Sequence, residues 1–251
     1  MIYINAAILF LTALFGGTAF LFFPGLQKVN FRNILMFAGS YLFSITIIHI
    51  IPEVYLNYPE PAIIGVFVLS GFFFQFILEF FSQGIEHGHS LIDKADTHHD
   101  HVHAPRILSL MAGLGIHSFL EGMIVAHPPN LNFHHHAGGI LLGIVLHKIP
   151  ETFALMAVMY HSKMAKWKSI LAMVIFCLTS PAGLFLSQFL NQRAGIMNHF
   201  VPILYGFVSG TFLFISTTIF FETSPQHHFN LKKLTSGLAG ALLAVIIQLF
   251  L

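Results

Sequence analysis

Eight stretches of this chain are each long and apolar enough to cross a bilayer, and together they take up almost all of it. A spanning helix needs about 20 consecutive apolar residues, because its backbone groups must be satisfied internally within hydrocarbon. The stretches fall at 2–23, 32–53, 61–83, 106–126, 137–160, 168–190, 199–221 and 232–251. With 56% hydrophobic residues, 29 Phe and only 8% charged residues, the chain is too apolar for a soluble domain. The expectation is an all-α integral membrane protein with eight transmembrane helices. The whole of 1–251 is then one domain, with no room for a soluble catalytic unit.

Basic residues orient the spans. Lys28, Arg32, Lys94, Arg106, Lys163, Lys166, Lys168, Lys232 and Lys233 all lie at odd-numbered connections. Only Arg193 lies at an even one, and Lys148 sits inside a span. The bias predicts both termini outside and the odd connections in the cytoplasm. No basic region followed by a cleavage site opens the chain, so 2–23 reads as a retained span. Cys177 is alone and within the sixth span, which excludes an intramolecular disulfide.

Two connections differ from the short Pro-, Gly- and Asn-containing ones. The inner one, about 84–105, carries His87, His89, His98, His99, His101 and His103 among Asp93, Asp96 and Asp100. The outer one carries His127 and the triplet His134, His135 and His136. Neither composition can build a core. Imidazoles at this density bind transition metals, so metal capture or sensing stands beside a plain solvated linker. Spans two and seven are weakly alike, through Gly39-Ser40-Tyr41-Leu42-Phe43 and Gly210-Thr211-Phe212-Leu213-Phe214. In opposite orientations they predict inverted halves, a 3+2+3 arrangement with helices 4 and 5 central.

Those central spans hold costly polar residues. His117 and Glu121, and His147 and Glu151, are each four residues apart, on one helical face near mid-span. Ionisable groups at that depth are functional candidates by default. Imidazole nitrogens and carboxylates suit zinc and neighbouring divalent ions, and two carboxylates offset the ion's charge. Each pair alone also fits an intrahelical hydrogen bond; two pairs on successive antiparallel spans favour a metal. Pro150 removes the helical partner of the carbonyl near Leu146, so a broken helix lining a cavity is expected there. Glycines 113, 115 and 122, with Gly139 and Gly143, are expected to let spans four and five approach closely.

The segments His117-Ser-Phe-Leu-Glu121-Gly122 and His147-Lys-Ile-Pro-Glu151 resemble the span-four and span-five signatures of the ZIP (Zrt/Irt-like) divalent metal transporters. The Pro52-Glu53 ending of span two, the histidine-rich loop and the span-seven Gly-Thr-Phe-Leu segment are similar too. The resemblance implies entry of divalent metal, often zinc, into the cytoplasm through a site made of His117, Glu121, His147 and Glu151. It also implies a homodimer. Many family members have an adjoining second metal site; its positions here are Ser118, Lys148 and Ser180, and none is an acid. An ammonium has no lone pair for coordination. The expectation is therefore a mononuclear site in which Lys148 stands in for the second cation, its ammonium between Glu121 and Glu151 also holding their charges when no metal is bound, the other reading being that Lys148 points away and pairs elsewhere.

His49, Glu53 and Glu222 can pass ions between water and the centre, or simply reach the headgroups. Gln75 and Glu79 share a face of span three and read as helix packing. Bound metal and protons should compete for the central His and Glu groups, so uptake slows as pH falls unless proton flux drives it. The bound species is Zn2+ or a related divalent cation as substrate, with no organic cofactor, no ATP loop and no nucleic-acid partner. The competing readings are an intramembrane zinc-dependent hydrolase, which lacks the His-Glu-x-x-His helix, and a membrane metal sensor. Small size and short loops point to a prokaryotic inner membrane.

Overall fold

The computed structural model describes residues 1–23, 32–82, 104–126, 137–162, 164–191, 197–222 and 231–250, and these contain helices and no strand. Among the described residues, eight helices are long and apolar enough to cross a membrane. Spans 1 to 8 run Ile2–Phe22, Asn33–Leu56, Pro61–Phe80, Ile107–Val125, Gly138–His161, Lys166–Leu190, Phe200–Phe221 and Leu231–Leu249. Apolar length thus locates every span to within a few residues, because in hydrocarbon the helix is the one local way to satisfy the backbone.

Spans 2, 5 and 6 each carry a proline, and two of them depart from a regular helix beside it. Span 5 is one helix, Ala137–His161, that runs through Pro150. The expected break does not occur: a proline removes a single backbone bond, and packed neighbours hold the helix together around it. Span 6 breaks instead. Its helix Lys166–Cys177 ends, Leu178 makes a turn, and a second helix runs Thr179–Asn191. Pro181 lies four residues beyond Cys177, so its ring would clash with that carbonyl in a regular helix. In span 2, a π-helical turn at Thr46–Ile50 precedes Pro52, and the Ile51 N–H reaches back to the Thr46 carbonyl. The wide turn adds one residue and carries His49.

The spans associate most extensively as 1 with 5, 4 with 6, 2 with 8 and 3 with 7. Successive spans alternate in direction, so every one of these pairs is parallel. Small residues permit the contact. A Cβ on Gly16 would strike the Ile149 carbonyl of span 5, and one on Gly183 would strike the Phe119 carbonyl of span 4. Gly210 is seated in the same way against Val68, and Gly240 against Phe37. The glycines expected to bring spans 4 and 5 together serve other partners. Gly122 abuts the Ser180 carbonyl, while Gly139 and Gly143 lie against Tyr41. Polar side chains occupy the seam of spans 4 and 5, leaving no call for bare backbone there.

Two apolar clusters lie along the molecule. One contains Tyr41, Ile144, Met123, Tyr205 and Phe212; the other contains Leu114, Phe153, Met156, Met173 and Phe176. On span 4 the residues 117–121 fall between Leu114 and Met123, and on span 5 the residues 147–151 fall between Ile144 and Phe153. The polar residues of the centre therefore separate the two clusters.

Candidate metal centre

Helical periodicity places His117 and Glu121 on one face of span 4, and His147, Lys148 and Glu151 on adjoining faces of span 5. All five are buried: Glu121 and Lys148 are 0% exposed, His117 2%, His147 5% and Glu151 7%. Such groups persist in an apolar interior only when paired. The first His–Glu pair meets within its own helix, with His117 Nε2 2.8 Å from Glu121 Oε1. The second pair divides. His147 Nε2 reaches across to the same Glu121 Oε1, while Glu151 Oε2 accepts from Lys148 Nζ at 2.8 Å. Lys148 Nζ also donates to Glu121 Oε2 at 2.5 Å.

Glu121 therefore divides its two oxygens between two kinds of partner: Oε1 faces both imidazoles, and Oε2 faces the ammonium. Ligand atoms of His117, Glu121 and His147 all lie within 4.8 Å of one another. Glu151 is linked to this group through Lys148; its Oε1 is buried and makes no hydrogen bond in the structure. His117 Nδ1 is buried likewise.

The tautomer of His147 is fixed by its backbone. Nδ1 lies 2.7 Å from the Gly143 carbonyl, one helical turn earlier. A carbonyl only accepts, so Nδ1 carries a proton, which leaves Nε2 as the nitrogen able to offer a lone pair to a metal. Nε2 faces a carboxylate oxygen, which only accepts. A contact between that nitrogen and that oxygen requires a cation between them, either a proton or a metal ion. A backbone carbonyl orienting a metal-binding imidazole through its other nitrogen is a common supporting contact.

Around this core, the Lys148 ammonium lies 5.5 Å from the centre of the Phe176 ring, within cation–π range. Phe212 of span 7 stands edge-on to His147 at 6.3 Å. Ser118 and Ser180, two of the positions expected to lack acids, hydrogen-bond each other at 2.7 Å. Thr179 Oγ1 donates to the Phe176 carbonyl and lies 2.8 Å from Ser118 Oγ. Sequence reasoning missed Gly143, Thr179 and Phe176 as neighbours of the centre. Gly143 was readable, being one turn before His147; the other two depend on the break in span 6.

The remaining site residues are scattered. His49 is buried within the π turn, Glu53 follows half-buried, and Gln75 is buried on span 3. Glu222 is the last residue of its helix. His87, His89, His98, His99, His101 and His103, with the outer His127 and His134 to His136, lie outside the described residues.

Eight apolar helices around a buried group of histidine and glutamate ligands define a polytopic membrane protein with a candidate intramembrane cation site. The family model described as ZIP Zinc transporter matches residues 86–248, a stretch that holds the whole centre. The chain belongs to that family, whose members are transporters rather than enzymes. It is also 30% identical over 148 residues to "Protein zntD" of Dictyostelium discoideum. That match covers 53% of this chain and 21% of the relative, so the chain aligns to about a fifth of that protein's length.

Proposed function

We propose that this protein moves divalent transition-metal ions, zinc foremost, across the membrane into the cytoplasm through one site between spans 4 and 5. The observation that carries the reading is the convergence of His117, His147 and Glu121 Oε1, with His147 Nε2 left by Gly143 as the nitrogen able to offer a lone pair. His117, Glu121 and His147 bind the ion first in this reading, and Glu151 Oε1 is the fourth ligand. Lys148 occupies the place of a second metal, and Ser118 and Ser180 serve structure. The site is then mononuclear.

The pairing of spans supports an inverted 3+2+3 arrangement. Exchanging span 1 with 6, 2 with 7, 3 with 8 and 4 with 5 turns the four parallel pairs into one another. The register agrees at one pair of contacts. Gly16 meets the residue two after His147, and Gly183 meets the residue two after His117. On this reading, the whole chain is one transport domain. His49 and Glu53 lie on the path from outside and Glu222 on the path inward, with both termini outside and the histidine-rich loop in the cytoplasm. A homodimer in a prokaryotic inner membrane completes the proposal, on the family resemblance and the short connections.

Uptake of 65Zn2+ into proteoliposomes tests it. Glu121→Ala and Glu151→Ala should each abolish uptake while the protein remains in the membrane. Normal uptake by both variants would refute the assignment of the site.

A further inference from the structure

We infer that the same centre also carries a soft monovalent cation with a filled d shell, Cu(I) or Ag(I), and that Lys148 is what makes it able to. The inference rests on the site proposed above and extends its range of substrates.

The first observation is the charge held by the centre. Two carboxylates and one ammonium lie in direct contact, through Lys148 Nζ to Glu121 Oε2 at 2.5 Å and to Glu151 Oε2 at 2.8 Å. With both imidazoles neutral, the group has a net single negative charge. A divalent ion leaves one uncompensated positive charge in a site whose members are at most 7% exposed. A monovalent ion leaves none. Net charge at membrane depth is costly, so the ammonium shifts the balance toward the smaller ionic charge.

Ligand geometry agrees. His117 Nε2 and His147 Nε2 flank one oxygen and lie within 4.8 Å of each other. Glu121 Oε1 lies against both nitrogens, so one ion with metal–ligand bonds of about 2 Å meets all three atoms. Two imidazole nitrogens and one carboxylate oxygen satisfy a monovalent ion of this kind without a full tetrahedral shell.

The third observation is independent of the centre. On the side of the site toward Phe153 and Leu114, the apolar cluster holds the buried Met156, Met159, Met173 and Cys177, with Met111 and Met164 packed against it. The cluster on the other side contains a single methionine, Met123. Thioethers and thiols are the ligands that select soft ions. By the positive-charge bias, this sulfur-rich half faces the cytoplasm. On the proposed inward route an ion leaving the histidines would pass beside this sulfur-bearing cluster, where thioether sulfur favours Cu(I) or Ag(I) over the borderline Zn2+ ion.

Proteoliposomes holding the full chain, in chloride-free buffer, supply the test, with Ag+ as a redox-stable probe and Zn2+ as its partner. Saturable Ag+ uptake is expected, competed by Zn2+ and lost in Glu121→Gln. Met156→Leu with Met159→Leu should slow Ag+ uptake at least fivefold and change Zn2+ uptake less than twofold. Lys148→Gln should raise the ratio of Zn2+ to Ag+ uptake at least tenfold; competition by Ag+ in the unaltered protein gives a second reading should that variant fail to fold. Zn2+ uptake with no Ag+ uptake above protein-free vesicles, and no competition by Ag+, overturns the inference and leaves the proposed function standing. Absence of uptake of either ion overturns both.

Discussion

Lys148 donates to Glu121 through the carboxylate oxygen that faces away from the two histidines. One carboxylate therefore holds an ammonium on one oxygen and presents the other to the imidazoles, so a bound metal and Lys148 need not exclude each other. The first prediction follows from that sharing. Lys148→Met leaves two buried carboxylates without their cation, and breaking such a pair costs about 3–5 kcal/mol. In detergent the variant should unfold well below the wild type in metal-free buffer. Added Zn2+ should raise its unfolding temperature by more than it raises that of the wild type. An equal Zn2+ effect on both would show that Lys148 does not act on the metal site.

Occupancy is a separate matter. Crystals of the wild type soaked in Zn2+ should give one anomalous peak between spans 4 and 5, beside His117, Glu121 and His147. Two adjacent peaks would remove Lys148 from its role as the second cation.

The hydroxyl group of Ser118 satisfies Ser180 and Thr179 rather than a metal. Ser118→Ala should cost about 1 kcal/mol of stability, the net value of an ordinary buried hydrogen bond. Zn2+ uptake should stay within threefold of wild type. A hundredfold loss with folded protein retained would make Ser118 a ligand.

Gly183 has the Phe119 carbonyl where a side chain would begin. Gly183→Val should push span 6 away from span 4 beside His117, at a cost of about 1–3 kcal/mol or more. Reduced yield of folded protein is expected, and the fraction that folds should bind Zn2+ at least tenfold more weakly. Gly138→Val, by contrast, meets open space and should be nearly silent in both measurements.

The spans and the polar centre were legible for the same physical reason: the bilayer makes both apolar length and mid-span charge unambiguous. Spacing alone put His117 beside Glu121. The Lys148 ammonium lies between Glu121 and Glu151 as expected, but spacing did not reveal that His147 would share Glu121, because that choice is made across two helices. Likewise, Pro150 and Pro181 look alike in sequence as helix breakers. Only Pro181 coincides with a break, and local sequence carries no information about which neighbours hold the other helix together. The glycines were readable as sites of close approach but not as to partner, since Gly122 could equally have faced span 5 as span 6.

The π turn in span 2 has a consequence for how that span tolerates change. A five-residue turn holds one residue more than a regular helix uses. Deleting a single residue within Thr46–Ile50 can therefore be absorbed by reverting to an α turn, with Tyr41 and Tyr55 kept on their present faces. The same deletion a turn earlier would swing everything beyond it by about 100° around the axis. Span 2 thus carries its own slack at the depth of His49, and length variation among related chains should collect there.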